Sequence, residues 1–145
     1  MGKLIYLVAV DGSEWSDRAA DRAIDLAQKT DAEVHFITAV QWAKYQPMYV
    51  AEFSAPPLDT DEAEKIEREK ILDPLNKRFA KSGVTIKTSL LWGHPVEVIR
   101  DMAKKEHANM IFVGRRGRSK VADLLLGSVA NSLAHTAGVP IVLVP

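Results

Sequence analysis

The sequence predicts an α/β fold in which helices cover both faces of a five-stranded parallel sheet. Short apolar runs recur along the 145 residues, and stretches with the spacing of amphipathic helices lie between most of them. Strands that alternate with helices in this way are typical of parallel sheets with right-handed crossovers. A chain of this length fits one domain, spanning residues 1–145. The apolar runs cover residues 4–10, 34–40, 84–92, 110–114 and 139–145.

The composition of each run predicts where its strand lies in the sheet. Residues 4–10 (LIYLVAV) and 110–114 (MIFVG) are almost continuously apolar, which is typical of strands buried on both faces. Residues 84–92 (VTIKTSLLW) alternate more, so this strand is expected to be half-exposed. Pro140 has no N–H group to donate to a neighbouring strand, so the run 139–145 is expected at a sheet edge.

The first two helices are predicted from their capping residues and their apolar faces. The first begins near Ser13, a favourable N-cap, and its sheet-facing side chains are Trp15, Ala19, Ala23, Leu26 and Ala27. The second extends from about Thr60 to Lys81, ends at Gly83 and bends at Pro74. The charges of its acid-rich segment (DEAEKIEREK) are expected to face water, with no pair that forms a general acid and base. Its sheet-facing side chains are expected to be Ile66, Leu72, Leu75 and Phe79.

The last two helices begin with residues that favour helix starts. Pro95 opens the third helix, because proline is favoured at the first helical position. Its apolar side chains are Val96, Ile99, Met102 and Ala103. The fourth helix begins near Gly127 and Ser128 and ends at Gly138, and its apolar side chains are Val129, Leu133 and Ala137.

Composition and charge exclude several classes of function. The chain has 19 basic and 19 acidic residues, so no overall attraction to nucleic acid or to an acidic membrane is expected. Cysteine is absent, which excludes disulfides, thiolate catalysis and cysteine-based zinc sites and is compatible with a reducing cytosol. The N-terminal apolar run ends at Asp11 and is too short to cross a membrane. We therefore expect a cytoplasmic protein with no membrane insertion and no nucleic-acid partner.

Residues 41–59 (QWAKYQPMYVAEFSAPPLD) form a connection without clear periodicity. A connection of this length is unusual in a compact domain, and such loops are often functional or mobile. The sequence leaves three interpretations open: a loop packed on the surface, a lid over a site, or a contact for a partner.

Three glycines near the C-terminus have a spacing that can bind an anion. Gly114 follows the fourth apolar run directly, Gly117 follows it, and Gly127 with Ser128 stands at the start of the last predicted helix. Backbone amides in a glycine-rich turn and at a helix N-terminus both attract phosphate groups. The stretch matches neither a Walker A loop nor the dinucleotide G-x-G-x-x-G pattern. On spacing alone, ordinary turns explain these glycines equally well.

Several candidate site residues fall at the carboxyl ends of predicted strands, where ligands bind in folds of this class. They are Asp11 after the first strand, Ala39 to Gln41 after the second, and Gly114 after the fourth. Asp11 is interpreted either as a nucleotide contact or as a local cap for the turn at Gly12 and Ser13. Its carboxylate could also hold a magnesium ion that is bound mainly by phosphates.

The only dense basic cluster consists of Arg115, Arg116, Arg118 and Lys120. It is interpreted as solvated loop charge or as a group that neutralises a triphosphate. Nucleic-acid binding is disfavoured because the rest of the chain supplies neither a basic stripe nor an aromatic platform. The four histidines lie in separate elements without metal-ligand spacing, so no metal site is predicted from them.

Over essentially its whole length, the chain resembles the universal stress protein family. The matching pieces are VAVDGSEWSDRAADRAIDLA, GHPVEVI and VGRRGRSKVADLLLGSVANSLAHTAGVPIVLVP. The last piece contains the ATP-binding pattern of the family, G-2x-G-9x-G-[S/T], as Gly114, Gly117, Gly127 and Ser128. The resemblance implies a doubly wound sheet with strand order 3-2-1-4-5, ATP bound at the strand ends, and a homodimer formed through strand 139–145.

The same resemblance implies roles for individual residues. Asp11 is expected to approach the ribose or the adenine, and the backbone of Ala39 to contact the adenine. The three glycines of the pattern and Ser128 are expected to form the phosphate cradle, and Arg116 and Val129 complete the candidate contacts.

We therefore expect an ATP-binding sensor or regulator of the stress response, with Mg²⁺ or Mn²⁺ as a possible companion of the nucleotide. One alternative is a slow ATP hydrolase or autophosphorylating enzyme that uses the same site. Another is a nucleotide-free binding or chaperone-like module. No activated nucleophile or catalytic base can be assigned from the sequence, which favours binding over chemistry.

Overall fold

A computed structural model describes residues 2–41, 59–117 and 126–145. The strands of the sheet are parallel throughout and lie in the order β3-β2-β1-β4-β5. This confirms the predicted α/β fold and the predicted strand order. The strands are β1 Ile5–Ala9, β2 Glu33–Val40, β3 Ile86–Trp92, β4 Met110–Gly114 and β5 Ile141–Val144.

Helices pack on both faces of the sheet, as predicted. On one face, Tyr6, Val8 and Phe36 pack against α1 and against the helical segment of residues 60–78. On the other face, Leu7 and Ile37 pack against α4 and α5. The helices are α1 Glu14–Thr30, α2 Thr60–Glu67, a π-helical turn Arg68–Leu72, α3 Asp73–Arg78, α4 Pro95–Lys105 and α5 Ser128–Thr136.

The position of each strand agrees with its composition. The core of β1 is buried on both sides, because β1 lies at the centre of the sheet between β2 and β4. The outer strand β3 is half-exposed along most of its length. The other edge is β5, which pairs only with β4 among the described strands and begins directly after Pro140. The edge position predicted from that proline is therefore confirmed.

The predicted face of the second helix is wrong at its first position. Ile66 was expected to face the sheet, but it is 43% exposed, whereas Glu67 is only 2% exposed. The physical reason is the π-helical turn Arg68–Leu72, in which the N–H of Asp73 bonds to the carbonyl of Arg68 five residues earlier. Such a turn contains an extra residue and rotates the preceding residues relative to a regular helical pattern.

The same π-helical turn accommodates Pro74 in the helical segment. Proline has no N–H group for the carbonyl four residues earlier, so a regular ladder cannot continue through it. A wider π-helical turn, Arg68–Leu72, precedes Pro74, and α3 follows this turn and ends at Arg78. The helical segment is thus interrupted where the sequence predicted a bend, and it ends three residues before the predicted Lys81.

Two further predictions fall partly outside the described residues. Of the connection 41–59, only Gln41 and Asp59 are described, so the three interpretations of this loop stay open. Within the described ranges, no helix has the length and apolar character needed to cross a membrane.

Candidate functional site

A cavity of about 400 Å³ opens at the carboxyl ends of β1, β2 and β4. It lies where the chain crosses from one side of β1 to the other, which is the position where ligands bind in doubly wound sheets. All the candidate site residues predicted from the sequence line this cavity: Asp11, Ala39, Gly114, Arg116, Gly117, Gly127, Ser128 and Val129. The structure therefore brings them together from three separate parts of the chain.

Close backbone packing explains the glycines along one wall. A Cβ atom on Gly114 would lie 2.7 Å from the Cβ of Trp15 and 2.8 Å from its backbone carbonyl carbon, so only glycine fits against the first turn of α1. A Cβ on Gly117 would lie 2.8 Å from Oδ2 of Asp11. The turn after β4 therefore approaches both α1 and the carboxylate that follows β1.

A backbone hydrogen bond joins the two glycine segments across the undescribed residues between them. The N–H of Gly127 donates to the carbonyl of Arg115 at 2.8 Å. A Cβ on Gly127 would lie 3.2 Å from the Cα of Arg116, which is tighter than ordinary van der Waals contact. This contact places the start of α5 beside the turn Gly114–Gly117.

The N-terminus of α5 presents backbone amides in the wall of the cavity. Its first helical hydrogen bond runs from the N–H of Asn131 to the carbonyl of Gly127, so the amides of residues 128–130 precede the ladder. Gly127 is the N-cap and has no side chain that could accept from them. Ser128, Val129 and Ala130 all line the cavity. Amides in this position carry partial positive charge and favour an anion.

Asp11 caps the turn before α1, as one of its two interpretations predicted, and it also lines the cavity, whereas its contact with a nucleotide stays a prediction. Its Oδ1 accepts a hydrogen bond from the N–H of Ser13 at 2.9 Å, which caps the turn before α1. Its Oδ2 lies on the side of Gly117 and the residue lines the cavity. The hydroxyl of Ser16 supports the same turn, since it accepts from the N–H of Asp11 at 3.3 Å and donates to the carbonyl of Ser13 at 3.0 Å.

Only one of the described arginines of the basic cluster reaches the cavity. Arg116 lines the wall, and its guanidinium carbon lies 5.0 Å from the ring centroid of Trp15, within the range of a cation–π contact. Arg115 is absent from the described lining, and its N–H donates to the carbonyl of Val144 at 2.7 Å. Arg118 and Lys120 lie outside the described residues.

Sequence reasoning missed two polar residues of the cavity wall, Ser16 and Glu67. Ser16 is 4% exposed and lies one turn into α1, where the sequence suggested no more than an ordinary helix position. Glu67 was grouped with the solvated acidic face of the second helix, and its burial contradicts that interpretation. The proline at position 74 was the available signal, because it makes a regular helical face unreliable upstream.

The histidines and the remaining acidic residues add no metal centre to the described part of the chain. Among the described residues, no group of three or more histidine, cysteine, aspartate or glutamate side chains could hold a metal ion. His94 caps α4 instead, with its Nδ1 accepting from the N–H of Val96 at 3.3 Å.

The cavity carries charged groups of both signs. The N-terminus of α5 and Arg116 are positive, whereas Asp11, beside Gly117, and Glu67 contribute carboxyl groups. Apolar side chains such as Val40, Ile37 and Ile99 also line the cavity. This arrangement suits a ligand that carries an anionic group at one end and a flat, partly apolar group with hydrogen-bond donors at the other.

Comparison with known proteins identifies the relatives of the chain. The model of a family described as Universal stress protein family matches residues 5–145. A universal stress protein of Bacillus subtilis is 31% identical over 144 residues, which cover 95% of this chain and 96% of that protein. A universal stress protein of Methanocaldococcus jannaschii is 32% identical over 143 residues, which cover 95% of this chain and 79% of that protein.

Solved structures share the fold. A universal stress protein in complex with cAMP has a TM-score of 0.72 and 27% sequence identity, covering 100% of this chain and 99% of that one. The universal stress protein from Archaeoglobus fulgidus in complex with dAMP has a TM-score of 0.69 and 20% identity, covering 99% of this chain and 98% of that one. The ligands of those two proteins are both adenine nucleotides.

Proposed function

The chain belongs to the universal stress protein family, and from this premise we propose that it binds ATP in the cavity at the strand ends. In this proposal the protein is a sensor or regulator of the stress response, whose contacts with a partner depend on whether the nucleotide is bound. Related proteins that bind cAMP and dAMP support an adenine nucleotide as the class of ligand.

The observation that carries the proposal is the convergence of backbone donors at one end of the cavity. The turn Gly114–Gly117 and the first turn of α5 meet through the hydrogen bond between Gly127 and Arg115, and both line the same space. Hydrogen bonds to a charged group contribute about 1.5–3 kcal/mol each, so a few of them support micromolar affinity after ordering costs. Arg116 adds a full positive charge to the same end.

The other residues of the cavity have complementary roles in this proposal. Asp11 accepts a hydrogen bond from the ribose or the adenine while its Oδ1 continues to cap the turn at Ser13. Ala39 lies at the end of β2 in the cavity wall, and its backbone contacts the adenine. Ser128 donates its hydroxyl to a phosphate oxygen, and the N–H of Val129 does the same.

A divalent ion that accompanies ATP would be held mainly by phosphate oxygens. The described residues contain no cluster of three protein ligands, but magnesium typically takes only one or two carboxylates together with phosphates. The carboxylate of Asp11 fits this requirement. The ion would neutralise the phosphate charge that Arg116 and the helix N-terminus do not balance.

The side chains of the cavity favour a protein that binds ATP without hydrolysing it rapidly. Apart from the carboxyl groups of Asp11 and Glu67 and the serine hydroxyls, the described lining of the cavity contains no histidine, lysine or cysteine that could act as a base or nucleophile. A slow hydrolase is the alternative, and a single-turnover incubation with γ-labelled ATP separates the two. Intact ATP recovered from the protein supports the sensor, whereas steady release of phosphate supports the hydrolase.

Gly117→Val tests the nucleotide site itself. The new side chain begins 2.8 Å from Oδ2 of Asp11 and projects from the turn that forms the phosphate end, so ATP affinity is expected to fall at least about tenfold. Isothermal titration measures the affinity, and circular dichroism checks that the fold is kept. Gly2→Val is the matched control, since a Cβ at Gly2 meets nothing within 4 Å. Equal ATP affinity in Gly117→Val and the unmodified protein would contradict the proposed cradle.

We also propose that the chain forms a homodimer through residues 139–145. The supporting observation is that β5 is an edge strand with a half-buried and partly exposed apolar surface. An uncovered apolar edge of this kind is an aggregation hazard, which a second copy of the strand would remove.

A further inference from the structure

Glu67 is a buried carboxyl group in the wall of the cavity. It is the last residue of α2, is 2% exposed, and lines the same space as Val40 and Gln41 at the end of β2. Its neighbours in sequence, Ile66 and Arg68, are exposed. The π-helical turn that follows therefore directs an acidic residue inwards and an apolar residue outwards.

The contacts of α2 hold this arrangement in place. Nε1 of Trp92, at the end of β3, donates to Oε1 of Glu64 at 2.9 Å and joins α2 to the sheet. The buried positions of the segment are Ala63, Glu67, Ile71, Leu72 and Leu75. Glu67 is the single charged residue in this otherwise apolar set.

The apolar stripe of the segment does not by itself predict a glutamate at this position. Taking a carboxyl group out of water is costly, and glutamate is almost never fully buried without polar interactions. An apolar side chain of similar size would continue the stripe formed by Ala63 and Ile71. Local rules of folding are broken most often at functional sites, where a group is kept for what it binds.

The charge distribution of the cavity indicates which part of a ligand Glu67 faces. A polyphosphate is attracted to Arg116 and the N-terminus of α5, where the carboxylate of Asp11 also lies beside Gly117, and it is repelled by the carboxyl group of Glu67. Glu67 lines the cavity together with Val40 and Gln41 at the end of β2, so we assign it to the nucleoside part. A carboxyl oxygen accepts hydrogen bonds in either protonation state, and a nucleoside offers donors as ribose hydroxyls or as the exocyclic amine of the base.

We propose that Glu67 is a specificity-determining residue, which accepts a hydrogen bond from a donor of the nucleoside and so selects among ligands that share the same phosphate groups. This inference rests on the proposed nucleotide site and adds to it a recognition element on α2, outside the glycine pattern. Arg116 and the α5 N-terminus then supply affinity for the anion, whereas Glu67 supplies discrimination among nucleosides.

The test compares a panel of ligands on the full chain by isothermal titration. The panel consists of ATP, 2′-deoxy-ATP, 3′-deoxy-ATP, inosine triphosphate and tripolyphosphate, so each compound other than ATP lacks a different donor or the whole nucleoside. The variants are Glu67→Leu, which removes the acceptor, and Glu67→Gln, which keeps the size and an amide oxygen. Glu62→Leu is the control, because Glu62 lies on the same helix and is exposed.

In the unmodified protein, the analogue that lacks the donor recognised by Glu67 should bind about tenfold more weakly than ATP. Glu67→Leu should lower ATP affinity by a similar factor and abolish the preference for ATP over that analogue. Tripolyphosphate should bind all variants equally, and Glu62→Leu should match the unmodified protein. Loss of preference against a deoxy analogue identifies a ribose hydroxyl, and loss against inosine triphosphate identifies the base amine.

Two outcomes overturn the inference while leaving the nucleotide site intact. One is an unchanged preference in Glu67→Leu, and the other is an equal loss of affinity for every ligand, which would indicate a structural or ion-binding role. Should Glu67→Leu fail to fold, as judged by circular dichroism, the same comparison in Glu67→Gln decides with a smaller expected loss of about threefold. Absence of ATP binding to the unmodified protein would overturn the proposed function, and this inference with it.

Discussion

The backbone of Gly114 lies against the first turn of α1, whereas Gly117 lies beside the carboxylate of Asp11. The first glycine is therefore needed for packing, because any side chain would overlap the backbone of Trp15. The second is needed for the approach of the turn to the cavity. Trp15 also contacts the cation of the same turn, since the guanidinium of Arg116 lies over the face of its ring. Trp15 therefore packs against Gly114 through its backbone and Cβ and against Arg116 through its ring.

His35 is a buried residue whose protonation is costly to the fold. It is 4% exposed, and its Nε2 lies 2.7 Å from the hydroxyl of Ser89. Its Nδ1 has no hydrogen-bond partner among the described residues. In the imidazolium form both ring nitrogens are donors, so one N–H would be buried without an acceptor. Burial lowers the pKa of His35 below its ordinary value of 6.5, an effect that the charge of Lys87 increases and those of Glu106 and Glu33 oppose.

This shift predicts how stability depends on pH. A histidine with a lowered folded pKa contributes full stability above the unfolded pKa of about 6.5, and that contribution is lost as the pH falls below it. The free energy of unfolding in urea is therefore expected to fall between pH 7.5 and pH 5.5, and to fall less in His35→Gln. Burial raises the pKa of Asp17, which changes stability in the opposite direction and cannot produce this loss. An identical slope in His35→Gln would assign the dependence to other groups.

At the scale of the element, the segment 60–78 shows what periodicity could and could not predict. The existence of the helix, its start at Thr60 and the burial of Leu72 and Leu75 followed from the sequence and are confirmed. The residues that face inwards before the π-turn could not be predicted, because a period of 3.6 residues per turn does not hold through a π-turn. Glu67 was missed for this reason, since an acidic residue one position after an isoleucine resembles an ordinary solvated face.

The register of this segment can be tested by two matched substitutions. Ile71 is 3% exposed and Ile66 is 43% exposed, although a regular helical pattern assigns Ile66 to the core. Ile71→Ala is expected to destabilise the protein by about 2–5 kcal/mol, whereas Ile66→Ala should cost less than about 0.5 kcal/mol. Urea denaturation followed by circular dichroism measures both. A larger loss for Ile66→Ala than for Ile71→Ala would show that the segment lacks the π-turn.

At the scale of the whole molecule, the strand order decides where the site forms. The central strand β1 has β2 on one side and β4 on the other, so the ends of these strands meet around Asp11. Asp11, Ala39 and Gly114 could be predicted because they lie at the ends of apolar runs that are easily recognised, and the remaining candidates came from the resemblance to the family. Their contacts could not, because the bond between Gly127 and Arg115 and the contact of Arg116 with Trp15 depend on how distant segments pack.

The same strand order leaves β5 at the edge, where the proposed dimer would form. The carbonyls of Pro140 and Val144 accept hydrogen bonds from β4, so by alternation along the strand those of Ile141 and Leu143 point away from it. Leu143 is also 37% exposed. Outward backbone groups next to an exposed leucine are the features that a second strand would cover.

Leu143→Lys should therefore weaken the association of two copies. In a symmetric dimer the substitution places two like charges near the strand pair, which opposes pairing, so the dissociation constant is expected to rise at least about tenfold. Sedimentation velocity over a range of concentrations measures the change. Leu4→Lys is the control, because Leu4 is 39% exposed but precedes the central strand β1 and not the edge strand. If Leu143→Lys sediments as a dimer with the affinity of the unmodified protein, the copies associate through a different surface or the edge is covered within a single chain.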